Sequence, residues 1–170
     1  LLRRAARHRA DGRGAVTTER HRIHDLLAEY GALLDAARYD DWLVLFADAC
    51  SYHVVPRENA DAGLPAALIF CDTRAVLEDR IRALQEANKY NIHSDRHLIG
   101  LPRITGDGAG EIGVETPFAV FQTDQEGETR LFATGLYRDR LVTVGGTLKI
   151  RDKLVLLDTF AVPSLLATPL

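Results

Sequence analysis

Residues 98–161 read LIGLPRITGDGAGEIGVETPFAVFQTDQEGETRLFATGLYRDRLVTVGGTLKIRDKLVLLDTFA, and this stretch decides the fold. It contains four long segments rich in β-branched and aromatic residues, which predict strands at 98–104, 111–123, 129–143 and 148–161. Turn residues separate the segments at 106–108, at 124–127 and at Gly145-Gly146. Because these turns are short, we expect successive strands to pair as hairpins in an antiparallel sheet.

Helical patterns precede these strands. Thr17 or Thr18 can cap a long amphipathic helix, whose apolar stripe at i, i+3, i+4 and i+7 spacing consists of Ile23, Leu26, Leu27, Tyr30, Leu33, Leu34 and Ala37. Asp40 is expected to cap a short second helix that contains Trp42, Leu43, Leu45 and Phe46. Thr73 is expected to cap a third helix, with a buried face of Val76, Leu77, Ile81 and Leu84.

The segments between the helices predict a strand, a loop and a short apolar segment. Residues 51–55 have strand composition and end at Pro56, residues 57–65 are polar with turn residues, and residues 66–71 are apolar. Helices followed by long strands are an α+β order. A strongly curved, antiparallel or mixed sheet wrapped over the N-terminal helices would form a cone with a pocket inside, which is the shape of the NTF2-like, or cystatin-like, fold.

Length and composition predict one globular domain, at residues 16–170 of a chain of 170 residues with 46% hydrophobic and 26% charged residues. Residues 1–15 predict a disordered basic tail. Five Arg and one Asp within residues 1–14 give it a charge of +4, so the rest of a chain with net charge −3 carries −7. Cys50 and Cys71 are too few for a disulfide framework, and we expect buried thiols in a reducing cytoplasm.

The same features argue against several classes of function. An acidic body is a poor partner for nucleic acid, because the phosphate backbone is itself anionic. No apolar run approaches the ~20 residues of a membrane span, and the N-terminal residues lack the apolar core of a secretory signal. The glycine-rich phosphate-binding motifs and the G-x-S-x-G nucleophile motif are not found in the sequence.

A densely charged stretch at residues 57–106 contains the strongest candidate for a metal site. In an extended strand, His93, Asp95 and His97 would share a face, and two His with one carboxylate are the ligands of non-haem iron(II). However, three ligands this close together on one strand could reach one face of the metal's octahedral coordination shell only with strained geometry. Cys50 and His53 form half of a Rieske pattern, but Asp72 follows Cys71, so the second half is missing. We therefore expect neither a metal nor another cofactor in this chain.

The cone-shaped pocket offers a second hypothesis, a free-standing isomerase or dehydratase. Tyr30, Asp35, Tyr52, His53 and His93 could meet in such a pocket and transfer protons. A ligand-binding module of the same fold, with a pocket but no proton-transfer group, is a third alternative.

Several motifs, in order over residues 20–170, carry a family resemblance. They are YDDW at 39–42 with LF at 45–46, YHVVPREN at 52–59, GLPAALIFCD at 63–72, LEDRI at 77–81, RHLIG at 96–100, DTF at 158–160 and LLATPL at 165–170. With them the chain resembles the small (beta) subunits of aromatic-ring-hydroxylating dioxygenases, the Rieske non-haem iron oxygenases. Within that family it looks most similar to subunits of enzymes that act on aromatic acids such as terephthalate or anthranilate.

The resemblance implies an NTF2-like fold and a non-catalytic, structural role in a cytoplasmic complex that adds O2 to an aromatic substrate in aromatic catabolism. The small subunits of the family form a trimer and join three large subunits, which hold the Rieske [2Fe-2S] cluster and the mononuclear Fe(II). A reductase, sometimes with a ferredoxin, supplies electrons from NADH. Charged residues of the 57–106 stretch then become candidates for contacts between subunits: Arg57, Glu58, Asn59, Arg80, Arg96, His97 and Arg103.

Overall fold

Helices cluster in the first half of the chain in a computed structural model that describes residues 2–64, 66–87, 92–108, 110–158 and 166–170. The helices are α1 (Leu2–Asp35), α2 (Tyr39–Val44), α3 (Arg57–Asp61) and α4 (Arg74–Ala87). The strands are β1 (Phe46–Pro56), β2 (Ile69–Cys71), β3 (Ser94–Ile99), β4 (Arg103–Gly108), β5 (Glu111–Thr123), β6 (Thr129–Val144) and β7 (Thr147–Leu157).

The strands form one mixed sheet in the order β2-β1-β7-β6-β5-β3, and β4 also pairs with β5. β1 and β7 are parallel, whereas the other pairs are antiparallel. Bulges in β5–β6 at Val120/Phe121 and in β6–β7 at Arg140/Leu141 bend the long strands. The predicted α+β architecture, with N-terminal helices on a curled sheet, is confirmed.

The core lies between the helices and the inner face of this sheet. Six of the seven residues predicted for the stripe of α1 are buried; the seventh, Ala37, follows the helix with φ 52°. Aromatic rings fill the middle of the cone: Trp42 lies 4.7 Å from Phe46 and 5.6 Å from Tyr52, and Phe118 stacks on Tyr137 at 4.1 Å. These rings bury large apolar areas and favour tilted or offset contacts, which fixes the shape of the interior.

Three predictions about the helices need correction. α2 begins one residue before Asp40, and its N-cap is Arg38, so Asp40 lies in the first turn, where a carboxylate stabilises the helix through its dipole. Residues 57–61, predicted as a loop, form α3. Val76 is 46% exposed and is not part of the buried face of α4, although Leu77, Ile81 and Leu84 are buried as predicted. The capping role of Thr73 is confirmed, since its Oγ1 accepts a hydrogen bond from the Val76 amide.

The backbone of residues 2–15 also differs from prediction, because it continues α1 where the composition predicts a disordered tail. Ala and Arg, which dominate this stretch, are strong helix formers, while Gly12 and Gly14 weaken it. The disorder of residues 1–15 in solution stays a prediction.

The strand boundaries shift in three places. β1 starts at Phe46, five residues before the prediction, and a predicted strand at 98–104 is divided between β3 and β4. Gly106 and Gly108, predicted as turn residues, end β4 and pair with β5. β7 ends at Leu157, and the last three residues of the predicted strand, from 159 onward, lie outside the described residues.

Candidate functional site

The interior of the cone contains two of the five residues predicted for a proton-transfer pocket. Tyr30 of α1 and Tyr52 of β1 are both fully buried, and their hydroxyls donate to the main-chain oxygen of Leu170 at 2.5 Å and 3.2 Å. The Leu170 amide in turn donates to the Tyr52 hydroxyl at 2.9 Å. Burial raises the pKa of both phenols, so they remain neutral hydrogen-bonding groups. Leu170 of the chain itself therefore occupies the space next to these two hydroxyls.

A buried ion pair lies beside these tyrosines. Lys153 of β7 donates to both carboxylate oxygens of Asp139 of β6, at 2.9 Å and 3.1 Å, and neither side chain is exposed. The ammonium also faces the rings of Tyr30 at 4.2 Å and Tyr137 at 3.9 Å. Burial raises the pKa of Asp139 and lowers the pKa of Lys153, while the charge of each partner opposes the shift in the other.

Asp35 binds His97 instead of entering the tyrosine pocket. Its carboxylate accepts hydrogen bonds from the His97 backbone amide at 3.0 Å, and it lies 2.7 Å from His97 Nδ1. Arg96, mostly exposed, adds a contact of 3.2 Å to the same carboxylate. This cluster joins the end of α1 to β3, so its role is to hold the helix on the sheet.

The two remaining predicted histidines lie elsewhere. His53 faces away from the cone, where its ring stacks on Phe70 at 4.4 Å and its Nε2 lies 2.9 Å from Asp72. His93 pairs with Asp95 at 3.3 Å, whereas His97, the third residue of the possible metal set, is held by Asp35. The structure thus brings together Tyr30 and Tyr52 but not Asp35, His53 and His93, and the isomerase or dehydratase hypothesis is not favoured.

Most of the predicted interface residues have partners within the chain. Arg57 binds Asp158 through two nitrogens at 2.5 Å and 2.9 Å, and Asn59 donates to the Ala66 carbonyl at 2.9 Å. Arg103 pairs with Glu115, which also binds Arg138. Arg80 donates to the carbonyl oxygens of Leu166 and Ala167, and the His97 side chain is only 1% exposed. Arg57, Arg96 and Arg103 remain partly or largely exposed, so they can also contact a neighbour.

Two exposed apolar patches were not predicted from the sequence. The β2 patch comprises Leu64, Leu68 and Phe70, and the β3 patch comprises Leu98 and Leu101. They lie at opposite ends of the strand order. Phe70 is 61% and Leu101 is 81% exposed, which are high values for large apolar side chains. The alternation of residues 68–71 carried a signal: Ile69 and Cys71 face the core, so Leu68 and Phe70 must face outward.

The buried ion pair was also missed, although its position carries a signal. Lys153 has the same strand parity as Val155 and Leu157, which are buried. A period of two therefore turns the lysine inward, and a buried lysine requires a partner.

A search for groups of three or more His, Cys, Asp and Glu that could hold a metal ion finds none among the described residues. Within the same residues, no helix has the length and apolarity to cross a membrane.

Comparison with known proteins identifies the family. The family model "Ring hydroxylating beta subunit" matches residues 31–164. The chain is 36% identical over 143 residues to subunit beta 2 of the terminal oxygenase component of terephthalate 1,2-dioxygenase from Comamonas sp., a match that covers 84% of this chain and 93% of the relative. It is 37% identical over 148 residues to the anthranilate 1,2-dioxygenase small subunit of Burkholderia cepacia, covering 87% and 92% of the two chains.

A solved structure agrees with these relatives. It is a protein from Novosphingobium aromaticivorans assigned as the beta subunit of an aromatic-ring-hydroxylating dioxygenase, with a TM-score of 0.84 and 41% identity over 92% of this chain and 99% of that one. Because the family model covers most of the chain and the relatives match nearly all of their own length, the chain belongs to the ring-hydroxylating beta subunit family.

Proposed function

We propose that this chain is the small, non-catalytic assembly subunit of an aromatic-ring-hydroxylating dioxygenase. The observation that carries the proposal is the occupied cone: aromatic side chains, a neutralised ion pair and Leu170 fill the volume that a proton-transfer enzyme of this shape would need for substrate. Family membership supplies the complementary role, that of a subunit within a dioxygenase.

The substrate class of the complex is an aromatic acid. Terephthalate and anthranilate, named for two relatives above 35% identity, both carry a carboxylate on an aromatic ring. In this proposal the large subunit binds that substrate and holds the Rieske [2Fe-2S] cluster and the mononuclear Fe(II). A reductase, with or without a ferredoxin, delivers the electrons, and this chain supplies no cofactor ligand.

The assembly is three large and three small subunits, with the small subunits in a ring. The β2 patch and the β3 patch lie at opposite ends of one sheet, so contact between them is heterologous. Heterologous contacts form a ring when the rotation between neighbours closes, and a rotation of a third of a turn gives the trimer. Polar and charged residues are close in sequence to both patches: Arg57, Glu58 and Asn59 precede Leu64, to which the Asn59 carbonyl is hydrogen-bonded, whereas Arg96 and Arg103 flank Leu98 and Leu101. Arg80 and His97 contribute indirectly, through the C-terminal residues and α1.

The complex works in the cytoplasm in this proposal. Cys50 and Cys71 are both free and buried, and burial raises the pKa of both thiols, which keeps them protonated and unreactive.

Co-expression with a Rieske large subunit tests the proposal. The chain should co-purify with the large subunit in equal amounts, and the complex should hold iron and oxidise an aromatic acid. The chain purified alone should bind no iron and show no turnover. If the isolated chain bound stoichiometric iron and hydroxylated an arene, or failed to join any large subunit of this family, the proposal would be wrong.

A further inference from the structure

A groove of about 480 Å³, here called the outer groove, crosses the sheet from β1 to β4. Because Asp139 and Lys153 face the core, the residues next to them on β6 and β7 face outward, and they line this groove. Strand register places four of the lining residues side by side: Ser51, Asp152, Arg140 and Gly113. The outer groove has the size of a small-molecule site and is separate from the filled cone.

An arginine in the outer groove has no partner. Arg140 is exposed and makes no hydrogen bond or ion pair among the described residues. Asp152, its neighbour on β7, accepts from the Ser51 hydroxyl at 3.0 Å through one oxygen and from Arg151 at 2.8 Å through the other. Since both oxygens of that carboxylate are engaged, the Arg140 guanidinium keeps its N–H donors for another acceptor.

The second carboxylate that lines the outer groove is engaged as well. Glu115 binds Arg138 at 3.0 Å through one oxygen and Arg103 through the other. Arg138 lies on the same face of β6 as Arg140, two residues away. Each carboxylate beside Arg140 is therefore already compensated by a guanidinium, and Arg140 is a cation that an added anion would neutralise.

Apolar surface lies beside this cation. Leu154 is next to Arg138 in the strand register, and His53 is next to Leu154. The His53 ring is held by its stack on Phe70, so it presents a fixed, flat wall. On the opposite side, Gly113 has no side chain and leaves room over β5. A ligand with one anionic end and one flat apolar end would match this arrangement.

We propose that the outer groove binds small aromatic carboxylates, with the carboxylate on Arg140 and the ring against Leu154 and His53. A guanidinium suits a planar carboxylate, because it can donate two parallel hydrogen bonds to it. Arg140 and Leu154 are diagonal neighbours on adjacent strands, whose Cβ atoms lie about 7–8 Å apart, a span that one ring with its carboxylate can bridge. The site belongs to a single chain and requires neither a large subunit nor the proposed assembly role.

NMR titration of the unmodified chain with benzoate tests the proposal. Benzoate should bind with a Kd on the order of 1 mM, and the amide signals that shift should cluster around the outer groove. Benzamide has the same ring without the charge, and it should bind at least about tenfold more weakly because the charge-assisted hydrogen bonds are lost. Acetate keeps the charge without the ring, and it should bind at least about tenfold more weakly because it buries less apolar area.

Two variants locate the site. Arg140→Gln should weaken benzoate binding about tenfold. Arg20→Gln, a change at an exposed arginine of α1, is the matched control and should bind benzoate as the unmodified chain does. Leu154→Ala should weaken benzoate binding about threefold, because part of the apolar wall is removed.

Three outcomes would overturn the proposal. The first is that no amide of the outer groove shifts with benzoate at about 20 mM. The second is that benzamide or acetate binds as tightly as benzoate, because the site would then lack one of its two recognition elements. The third is that Arg140→Gln binds benzoate as tightly as the Arg20→Gln control.

Discussion

At the scale of single residues, the pair of Lys153 and Asp139 is a costly feature of the interior. Taking both charges out of water is unfavourable, and their attraction compensates only when the geometry is good and the remaining hydrogen-bonding groups are satisfied. Two hydrogen bonds join them, and two tyrosine rings face the ammonium. The aromatic faces replace part of the hydration that the lysine loses.

Lys153→Met should lower the free energy of unfolding by about 3–5 kcal/mol, because it leaves the Asp139 carboxylate buried without its cation. The double variant Lys153→Met, Asp139→Leu should recover most of that loss, since no charge is then left unpaired. Urea unfolding of both variants measures the difference. Arg140→Met, a change at an exposed position next to Asp139 on β6, is the matched control. Its free energy of unfolding should stay within about 0.5 kcal/mol of that of the unmodified chain. Equal losses in the single and double variants would contradict this account.

Tyr30, Tyr52 and Tyr137 should make the chain unfold in alkali. Burial raises the pKa of all three phenols above the ordinary value of 10. Their stabilisation is present below pH 10 and is lost as the pH rises toward the folded-state values, because there the unfolded chain releases protons that the folded chain retains. With three such groups, the free energy of unfolding should fall by about 4 kcal/mol per pH unit once the pH is well above 10.

Tyrosinate absorbance and circular dichroism, followed together during titration, check this expectation. The three phenols should ionise in one step that coincides with loss of secondary structure. Gradual ionisation with an unchanged dichroism spectrum would contradict it.

At the scale of elements, the packing of β6 between β5 and β7 depends on a glycine, which has no side chain. Gly135 lies in the middle of β6, opposite Phe118 on β5 and Leu157 on β7. A Cβ at this position would overlap the Leu156 carbonyl oxygen and lie 3.0 Å from the Phe118 ring. Both obstacles are fixed, one in the backbone and the other in the Phe118–Tyr137 stack.

Gly135→Ala should therefore destabilise the chain by about 3 kcal/mol, because the strands must separate to admit the methyl group. Gly106→Ala is the matched control: Gly106 also lies in a strand, and a Cβ there would meet nothing within 4 Å. The control should change the free energy of unfolding by less than about 1 kcal/mol, which thermal or urea unfolding can measure. Tolerance of alanine at both positions would show that the sheet adapts more readily than this geometry implies.

Local patterns predicted these elements to different extents. The stripe of α1 and the Thr73 cap depend on neighbours in sequence, and both are confirmed. The parallel pairing of β1 with β7 joins residues about a hundred positions apart, which no local signal specifies. The order of elements therefore predicted the α+β class and the curved sheet, but it did not specify which distant strands pair.

The site was predicted less well, because it depends on which side chains meet. Tyr30 and Tyr52 contact the same main-chain oxygen, but Asp35 is held by the backbone amide and ring of His97. The occupancy of the cone by Leu170 was not predictable from residue types, since a leucine carries no signal of where its main-chain oxygen binds.

At the scale of the whole molecule, the two exposed patches make the subunit two-sided. Phe70→Ser at one end of the sheet and Leu101→Ser at the other should each abolish the ring of small subunits, because every contact in a ring uses both patches. A mixture of the two variants should form dimers through the one intact pair of patches. Native mass spectrometry measures these species, and Val144→Ser, an exposed apolar change away from both patches, is the control that should leave the ring intact. A ring that survives either change would contradict the two-patch assembly.

The parallel pairing of β1 with β7 has a consequence for synthesis. β1 and β2 join the rest of the sheet only through β7, so the first half of the chain waits for residues 147–157 to leave the ribosome. Such distant pairings are formed slowly, because a long loop must close before any contact compensates for the lost entropy. Until then the edge of β1 that pairs with β7 is open to other chains. The nascent subunit should therefore be most prone to aggregation just before β7 emerges, and chaperones that bind apolar segments should have their longest access at that stage.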